Sequence, residues 1–247
     1  VLDGSPQART AWMSEPYEGE REYCAYPIMT DEEVEARLRA AAEIGAQPLV
    51  HCNGDAASEQ FLRAWEAVCA EVEGAKALRP MMVHCQTVTE PQIARMAKCG
   101  MLASVFVGHC FYWGDTHLAN FGPKRGNNIS PLRTILDHGV IANLHQDSPV
   151  TDPDMLHSIW CAVNRRTRSG ITVGEGQKID VYDALIAATY GGACIYFEEQ
   201  TKGVLKPGAR ADFVVLSDDP TAVDPMTIRD IRVMQTIKDD EVLYAAE

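Results

Sequence analysis

The sequence predicts an α/β fold, in the form of a partial (β/α)8 TIM-type barrel. Short apolar runs alternate four times with helical patterns, which is typical of a parallel sheet covered by helices. Three of these runs end in the dipeptide His-Cys and the fourth ends in HQD, so polar residues follow the carboxyl ends of buried strands. His51, His84, His109 and Asp147 are separated by 33, 25 and 38 residues, which is close to the roughly 30 residues of one βα unit.

The first elements are predicted from caps and turn residues. Residues 1–27 are predicted to be the end of a strand followed by a long irregular loop. Thr30, with Glu33 three positions later, predicts a capping box that starts a helix, and Gly45 ends that helix. The first His-Cys strand then covers about 47–52.

The remaining elements of the predicted barrel follow in the same alternation. Asp55 is expected to cap a helix, because apolar residues recur on one face after it, and residues 109–128 are predicted to form a long loop. Further strands are expected at about 80–85, 101–108 and 140–146, and further helices at about 89–100, 130–139, 154–168 and 180–197.

The chain divides into two predicted domains. Residues 1–200 hold four strands and a stub, so they correspond to about strands 4–8 of a barrel, its C-terminal half. Residues 201–247 contain turn residues and three strand patterns, which predict a C-terminal β-sandwich segment. Because a half barrel exposes open parallel edges, we expect further chain upstream, a homo-oligomer or a distorted sheet.

Composition and charge narrow the class of partner. The net charge of −13 over 247 residues argues against nucleic acid and anionic membranes, which need clustered Lys and Arg. No run approaches the roughly 18 apolar residues of a membrane span, so a small-molecule substrate is the expected partner. Eight cysteines without a CxxC pair predict buried free thiols and a reducing, cytoplasmic location. The chain starts at Val1 rather than Met, from which we expect a fragment.

His51 and His84 are the strongest candidates for metal ligands, because they occupy equivalent positions one βα unit apart. Side chains alternate along a strand, so one member of each His-Cys pair faces the barrel mouth. We expect the histidine there, since neutral imidazole is a common ligand of zinc. Asp147 can bind a metal and accept a proton from an activated water. Its alternative role is that of a turn or capping residue before Ser148-Pro149.

Three further residues are weaker candidates. His109 is placed to contact substrate or a leaving group, and His145 lies on the same strand face as Asp147. Either histidine could instead form only hydrogen bonds within the mouth. Long loops at strand ends commonly shape substrate pockets, so Arg125 is a candidate for binding a substrate carboxylate, with a surface ion pair as the alternative.

Several motifs together resemble the amidohydrolase superfamily, specifically amidohydrolase family 3. They are DGSPQARTAW, HCNGDAA, HCQTVTEPQIARMAKCG, the WGD and GPKR segments, HQDSPV and KGVLKPGARADFVVLSDDP. The resemblance runs over nearly the whole chain. It implies a (β/α)8 barrel, a composite β-sandwich from both chain ends, and one or two divalent metals, usually zinc. It also implies hydrolysis of an amide-like, non-peptide C–N bond.

Carried over by position, the resemblance implies that His51 and His84 are metal ligands and that Asp147 activates the water. The family's first-strand His-x-His pair and its strand-4 Lys have no counterpart here, so we expect an incomplete metal centre and an inactive fragment of a hydrolase. One alternative is a non-catalytic binding or regulatory protein that keeps the fold without a complete metal centre. Another is a barrel enzyme that uses the histidines as general acid and base.

Overall fold

The computed structural model describes residues 1–247 and contains two sheets. The first has four parallel strands in the order β1-β2-β3-β4, as predicted for one half of a barrel. These strands are β1 (Leu49–Cys52), β2 (Met81–His84), β3 (Leu102–Val105) and β4 (Ala142–Leu144). Each is shorter than expected, because the chain leaves extended geometry where the loops at the carboxyl ends begin.

One helix precedes β1, and others follow each parallel strand and pack against the sheet. They are α1 (Asp31–Glu43), α2 (Asp55–Glu71), α3 (Glu90–Lys98), α4 (His109–Gly126), α5 (Leu132–Asp137) and α6 (Met155–Asn164). The predicted capping box at Thr30 is confirmed, and Thr89 forms a second one with Gln92 at the start of α3. The core lies between helices and sheet, where Phe61, Trp65 and Met82 are fully buried.

The prediction of a long loop at residues 109–128 was wrong, because α4 occupies most of it. The helix is kinked where Gly122 adopts a φ of 70° before Pro123. Its buried positions include His109, His117 and Gly114. Polar and small residues on the buried side removed the apolar periodicity by which a helix is recognised in a sequence.

The N-terminal segment differs from the prediction in two details. Residues 1–3 form no strand, although Leu2 donates its N–H to the carbonyl of His51 in β1 at 3.1 Å. Gly54, rather than Asp55, caps α2. The carbonyl of Trp12 lies so close to Gly54 that an added Cβ would be 1.7 Å from it, so only glycine fits there. Asp55 instead accepts a hydrogen bond from the N–H of Ser14 at 2.9 Å.

The predicted helix at about 180–197 is present but interrupted. It consists of α7 (Val181–Ile186), a π-helical turn (Ala187–Gly191) and α8 (Gly192–Ile195). A Cβ at Gly191 would lie 2.0 Å from the carbonyl oxygen of Ala142, so the helix packs directly on the backbone of β4.

The second sheet is antiparallel and C-terminal, in the order β5-β6-β7. Its strands are β5 (Phe213–Leu216), β6 (Val233–Lys238) and β7 (Glu241–Ala245). Val214 and Leu243 are among its exposed apolar residues. The β-sandwich expected for residues 201–247 stays a prediction, since this part of the chain forms a single sheet. All eight cysteines are free; six are buried, as expected, whereas Cys24 and Cys69 are half-buried. None of the helices has both the length and the apolar character that crossing a membrane requires.

Candidate metal centre

Histidine side chains from three strand ends meet at the carboxyl edge of the parallel sheet. The ring centroid of His84 lies 4.6 Å from that of His51, 5.0 Å from that of His145 and 5.7 Å from that of His109. The meeting was expected, since the carboxyl ends of parallel strands share one edge. His84 is at its centre.

His84 reaches this cluster through an unusual backbone conformation. The strand register pairs Cys52 with His84 and His84 with Val105, whereas His51 pairs with Val83. Regular alternation would therefore direct His84 towards the helices together with Cys52. A φ of 76° at His84 takes the chain out of strand geometry, and the ring lies beside His51 instead. Strained conformations of this kind are concentrated at functional sites.

His84, His145 and Asp147 each offer a ligand atom, and these atoms all lie within 4.8 Å of one another. Asp147 also has a positive φ, of 57°, and its side chain is exposed. Two imidazoles and a carboxylate are a donor set suited to a divalent transition metal. The residues present therefore fit a metal, and His145 takes a more central position than the sequence indicated.

Hydrogen bonds hold the buried His84 and the half-buried His145 in this arrangement. His84 Nδ1 lies 3.2 Å from His145 Nε2, and His145 Nδ1 lies 2.9 Å from the hydroxyl of Ser104. Burial lowers the pKa of His84 and of His145 to about 3. Both rings are consequently neutral near pH 7, the form in which imidazole binds a metal.

His51 is oriented by residues of the N-terminal segment and of its own strand end. Its Nδ1 lies 3.3 Å from the carboxylate of Asp3, without the alignment of a hydrogen bond, and its Nε2 lies 3.2 Å from the side-chain nitrogen of Asn53. A carboxylate behind the imidazole is a common partner of a metal-ligating histidine.

Asp3 is a further residue of the site, and no role was predicted for it from the sequence. Its buried carboxylate accepts hydrogen bonds from the N–H groups of Trp12, Asn53 and Gly54 at 3.0, 3.0 and 2.7 Å. Asp3 therefore joins the N-terminal segment to the loop after β1. The DGS motif was the only sequence signal for it.

His109 lies at the start of α4 and forms the wall of the cluster. It is buried between Phe106 and Trp113, whose ring centroids are 4.5 and 5.7 Å from its own. Burial lowers the pKa of His109 well below its usual value. Behind it lies His117, whose Nε2 is 2.9 Å from the side-chain nitrogen of Gln86. Contact between His109 and a substrate stays a prediction.

Arg125 is engaged by the backbone. Its guanidinium donates to the carbonyls of Phe121, Glu15 and Pro16 at 3.1, 3.0 and 2.6 Å, so it ties α4 to the N-terminal segment. The alternative of a surface ion pair is not what the structure shows. Binding of a substrate carboxylate by Arg125 remains a prediction.

Comparison with known proteins identifies the family. The model of the amidohydrolase family matches residues 1–244. The chain is 28% identical to the putative amidohydrolase YtcJ of Bacillus subtilis (strain 168) in an alignment 248 positions long, which covers 98% of this chain and 46% of that protein. It is also 28% identical to the N-substituted formamide deformylase of Arthrobacter pascens over 209 residues, covering 83% of this chain and 38% of the relative.

A solved structure has the same fold. The uncharacterized metal-dependent hydrolase from Pyrococcus horikoshii OT3 superposes with a TM-score of 0.79 at 24% identity, over 91% of this chain and 44% of that one. The chain thus spans less than half the length of the relatives it matches. From the family match over nearly all of its residues, this chain belongs to the amidohydrolase family.

Proposed function

We propose that the chain contributes a divalent-metal centre, built from His51, His84, His145 and Asp147, to a metal-dependent hydrolase. The observation that carries the proposal is the convergence of ligand atoms from His84, His145 and Asp147 within 4.8 Å. The ring of His51 adjoins that of His84, and its Nδ1 lies beside the carboxylate of Asp3. Zinc is the expected ion, and a mutant of atrazine chlorohydrolase TrzN from Arthrobacter aurescens TC1, whose fold is similar with a TM-score of 0.61, has been solved in complex with zinc.

The bond that we propose as the target is an amide-like, non-peptide C–N bond. A relative of this chain is named an N-substituted formamide deformylase, and release of a formyl group from nitrogen is a reaction of this class. A bound divalent cation would polarise the carbonyl of such a substrate and lower the pKa of a water.

Asp147 is placed to move the proton in this reaction. Its carboxylate is exposed beside His84 and His145, so it can accept a proton from the attacking water and return it to the leaving nitrogen. The C–N bond then breaks, and the C–O bond that the attacking water formed remains in the released acid. The neutral histidines cannot supply that proton at pH 7, because the pKa values of His84 and His145 are about 3.

Calorimetric titration with zinc, followed by an assay for release of formate from N-substituted formamides, tests the proposal. We expect about one zinc ion per chain, and at least about 10-fold weaker binding after alanine replaces any one of the four residues. His138→Ala is the matched control, since His138 lies at the end of α5 beside Glu90. Equal zinc affinity in all variants would contradict the metal centre. Because an inactive fragment is expected from the sequence, zinc binding without hydrolysis favours a non-catalytic role only when it is found in a full-length protein that contains this chain.

A further inference from the structure

Three arginine side chains converge on an open cleft outside the metal centre. Arg166, Arg168 and Arg229 line this cleft together with Phe111 and Trp160, and its volume is about 370 Å³. Small-molecule sites commonly have volumes of roughly 300–1,000 Å³. We call it the arginine cleft.

The arginine cleft is assembled from three separate segments. Phe111 belongs to α4, Trp160 to α6, and Arg229 to a 3-10 helix (Pro225–Asp230) that precedes β6. Trp160 Nε1 donates to the carbonyl of Met226 at 2.9 Å, which fixes the 3-10 helix on α6. The cleft is therefore a product of the tertiary fold rather than of one basic stretch of sequence.

No carboxylate oxygen lies within 4.0 Å of any of the three guanidinium groups. Elsewhere in this chain of net charge −13, Arg39 and Arg95 each pair with two glutamates. Nearby aspartates have other partners, since Asp115 accepts from the hydroxyl of Ser169 and Asp154 accepts from the N–H of His157. The positive charge of the cleft is left without an internal counterion.

Aromatic rings hold two of the arginines in place. The Cζ atom of Arg229 lies 4.5 Å from the ring centroid of Trp160, and that of Arg168 lies 5.1 Å from the ring centroid of Tyr112 and 5.7 Å from that of Phe111. A guanidinium held over a ring by cation–π attraction keeps N–H groups at its edge free. Those groups can bind an oxyanion in a bidentate manner.

We propose that the arginine cleft binds the phosphate group of a small phosphate monoester. A dianionic phosphate has three terminal oxygens and can accept hydrogen bonds from more than one arginine, whereas a carboxylate has two oxygens and is satisfied by one arginine fork. The exposed side chain of Met226 and the half-buried ring of Phe111 offer an apolar surface for the organic part of the ligand. The site is separate from the proposed metal centre and does not depend on it.

Calorimetric titration with phenyl phosphate and with benzoate tests this proposal, because the two probes share a ring and differ in the anion. We expect phenyl phosphate to bind at least about 10-fold more tightly than benzoate. Arg168→Gln and Arg229→Gln are each expected to weaken phenyl phosphate binding at least about 10-fold, the range for a lost charged hydrogen bond. Arg168→Lys keeps the charge but loses the fork, so it should weaken binding by less.

The matched control is Arg37→Gln, which removes the same charge from an exposed position of α1. Circular dichroism checks that each variant is folded, and Arg168 serves as the second variant if loss of Arg229 disturbs the packing on Trp160. The proposal is overturned if phenyl phosphate binds no better than benzoate, or if Arg168→Gln binds it as well as Arg37→Gln does.

Discussion

The imidazoles of His84 and His145 face each other, with Nδ1 of the first 3.2 Å from Nε2 of the second. Because both rings are neutral near pH 7, one of these nitrogens carries a hydrogen and donates a hydrogen bond to the other. The pair belongs to strands that are not neighbours, β2 and the end of β4, with β3 between them. Ser104 of β3 lies beside the pair and contacts His145.

Replacing Ser104 by alanine is expected to weaken metal binding without unfolding the protein. The Ser104 hydroxyl lies 2.9 Å from His145 Nδ1 and so orients that ring, and loss of such an orienting group typically costs 10–100-fold in metal affinity. Zinc titration measures the effect. Ser104→Thr retains the hydroxyl and is the control, so an equal loss in both variants would show that packing rather than the hydrogen bond matters.

The stability of the metal-free protein is expected to fall as the pH decreases below about 6.5. Burial lowers the pKa of His84 and His145 to about 3 and that of His117 to about 4. In the unfolded chain these histidines have an ordinary pKa near 6.5 and bind protons below it, whereas in the folded protein they stay neutral. Acid therefore favours the unfolded chain until the pH reaches the folded pKa values.

Between pH 7.5 and 5.5 the expected loss in the free energy of unfolding is about 1.4 kcal/mol per histidine, because the slope approaches about 1.4 kcal/mol per pH unit only well below pH 6.5. Urea unfolding at pH 7.5 and 5.5 measures it. His117→Gln should reduce the dependence, because it removes one of the buried titrating groups and leaves the others. A free energy of unfolding that stays constant between these two pH values would contradict the prediction.

Asp3→Asn is expected to destabilise the protein by about 2–4 kcal/mol. The Asp3 carboxylate accepts three backbone hydrogen bonds, and an amide offers a single uncharged oxygen in its place. Urea unfolding compared with Asp230→Asn, an exposed aspartate without a structural hydrogen bond, isolates the effect. Equal stability of the two variants would mean that the N-terminal segment is held by other contacts.

Arg165→Lys is expected to cost at least about 3 kcal/mol of folding stability. Arg165 is fully buried and donates to the carbonyls of Val173, Ser130 and Ile129 at 2.7, 3.0 and 2.5 Å. A lysine ammonium cannot reproduce this planar fork, so buried carbonyls would lose their donors. Thermal unfolding measures the loss, and Arg37→Lys on the surface of α1 should leave the melting temperature unchanged.

Much of the fold was predictable because it is encoded locally. Apolar runs of the right length specified the parallel strands, and the capping box at Thr30 specified the start of α1. The helix α4 was not predicted, because its buried positions include His109, Gly114 and His117, whose burial depends on neighbours distant in the sequence. The role of Asp3 was not predicted for the same reason, because its hydrogen-bond donors come from residues up to 51 positions away.

Strand order and spacing, both readable from the sequence, bring His51, His84 and Asp147 to the carboxyl edge of the sheet. How these side chains meet depends on contacts between the strands. The offset register of β1 and β2 and the positive φ at His84 direct its ring to His145 as well as to His51. Register and backbone strain depend on packing between strands, and neither is a property of any one segment of the chain.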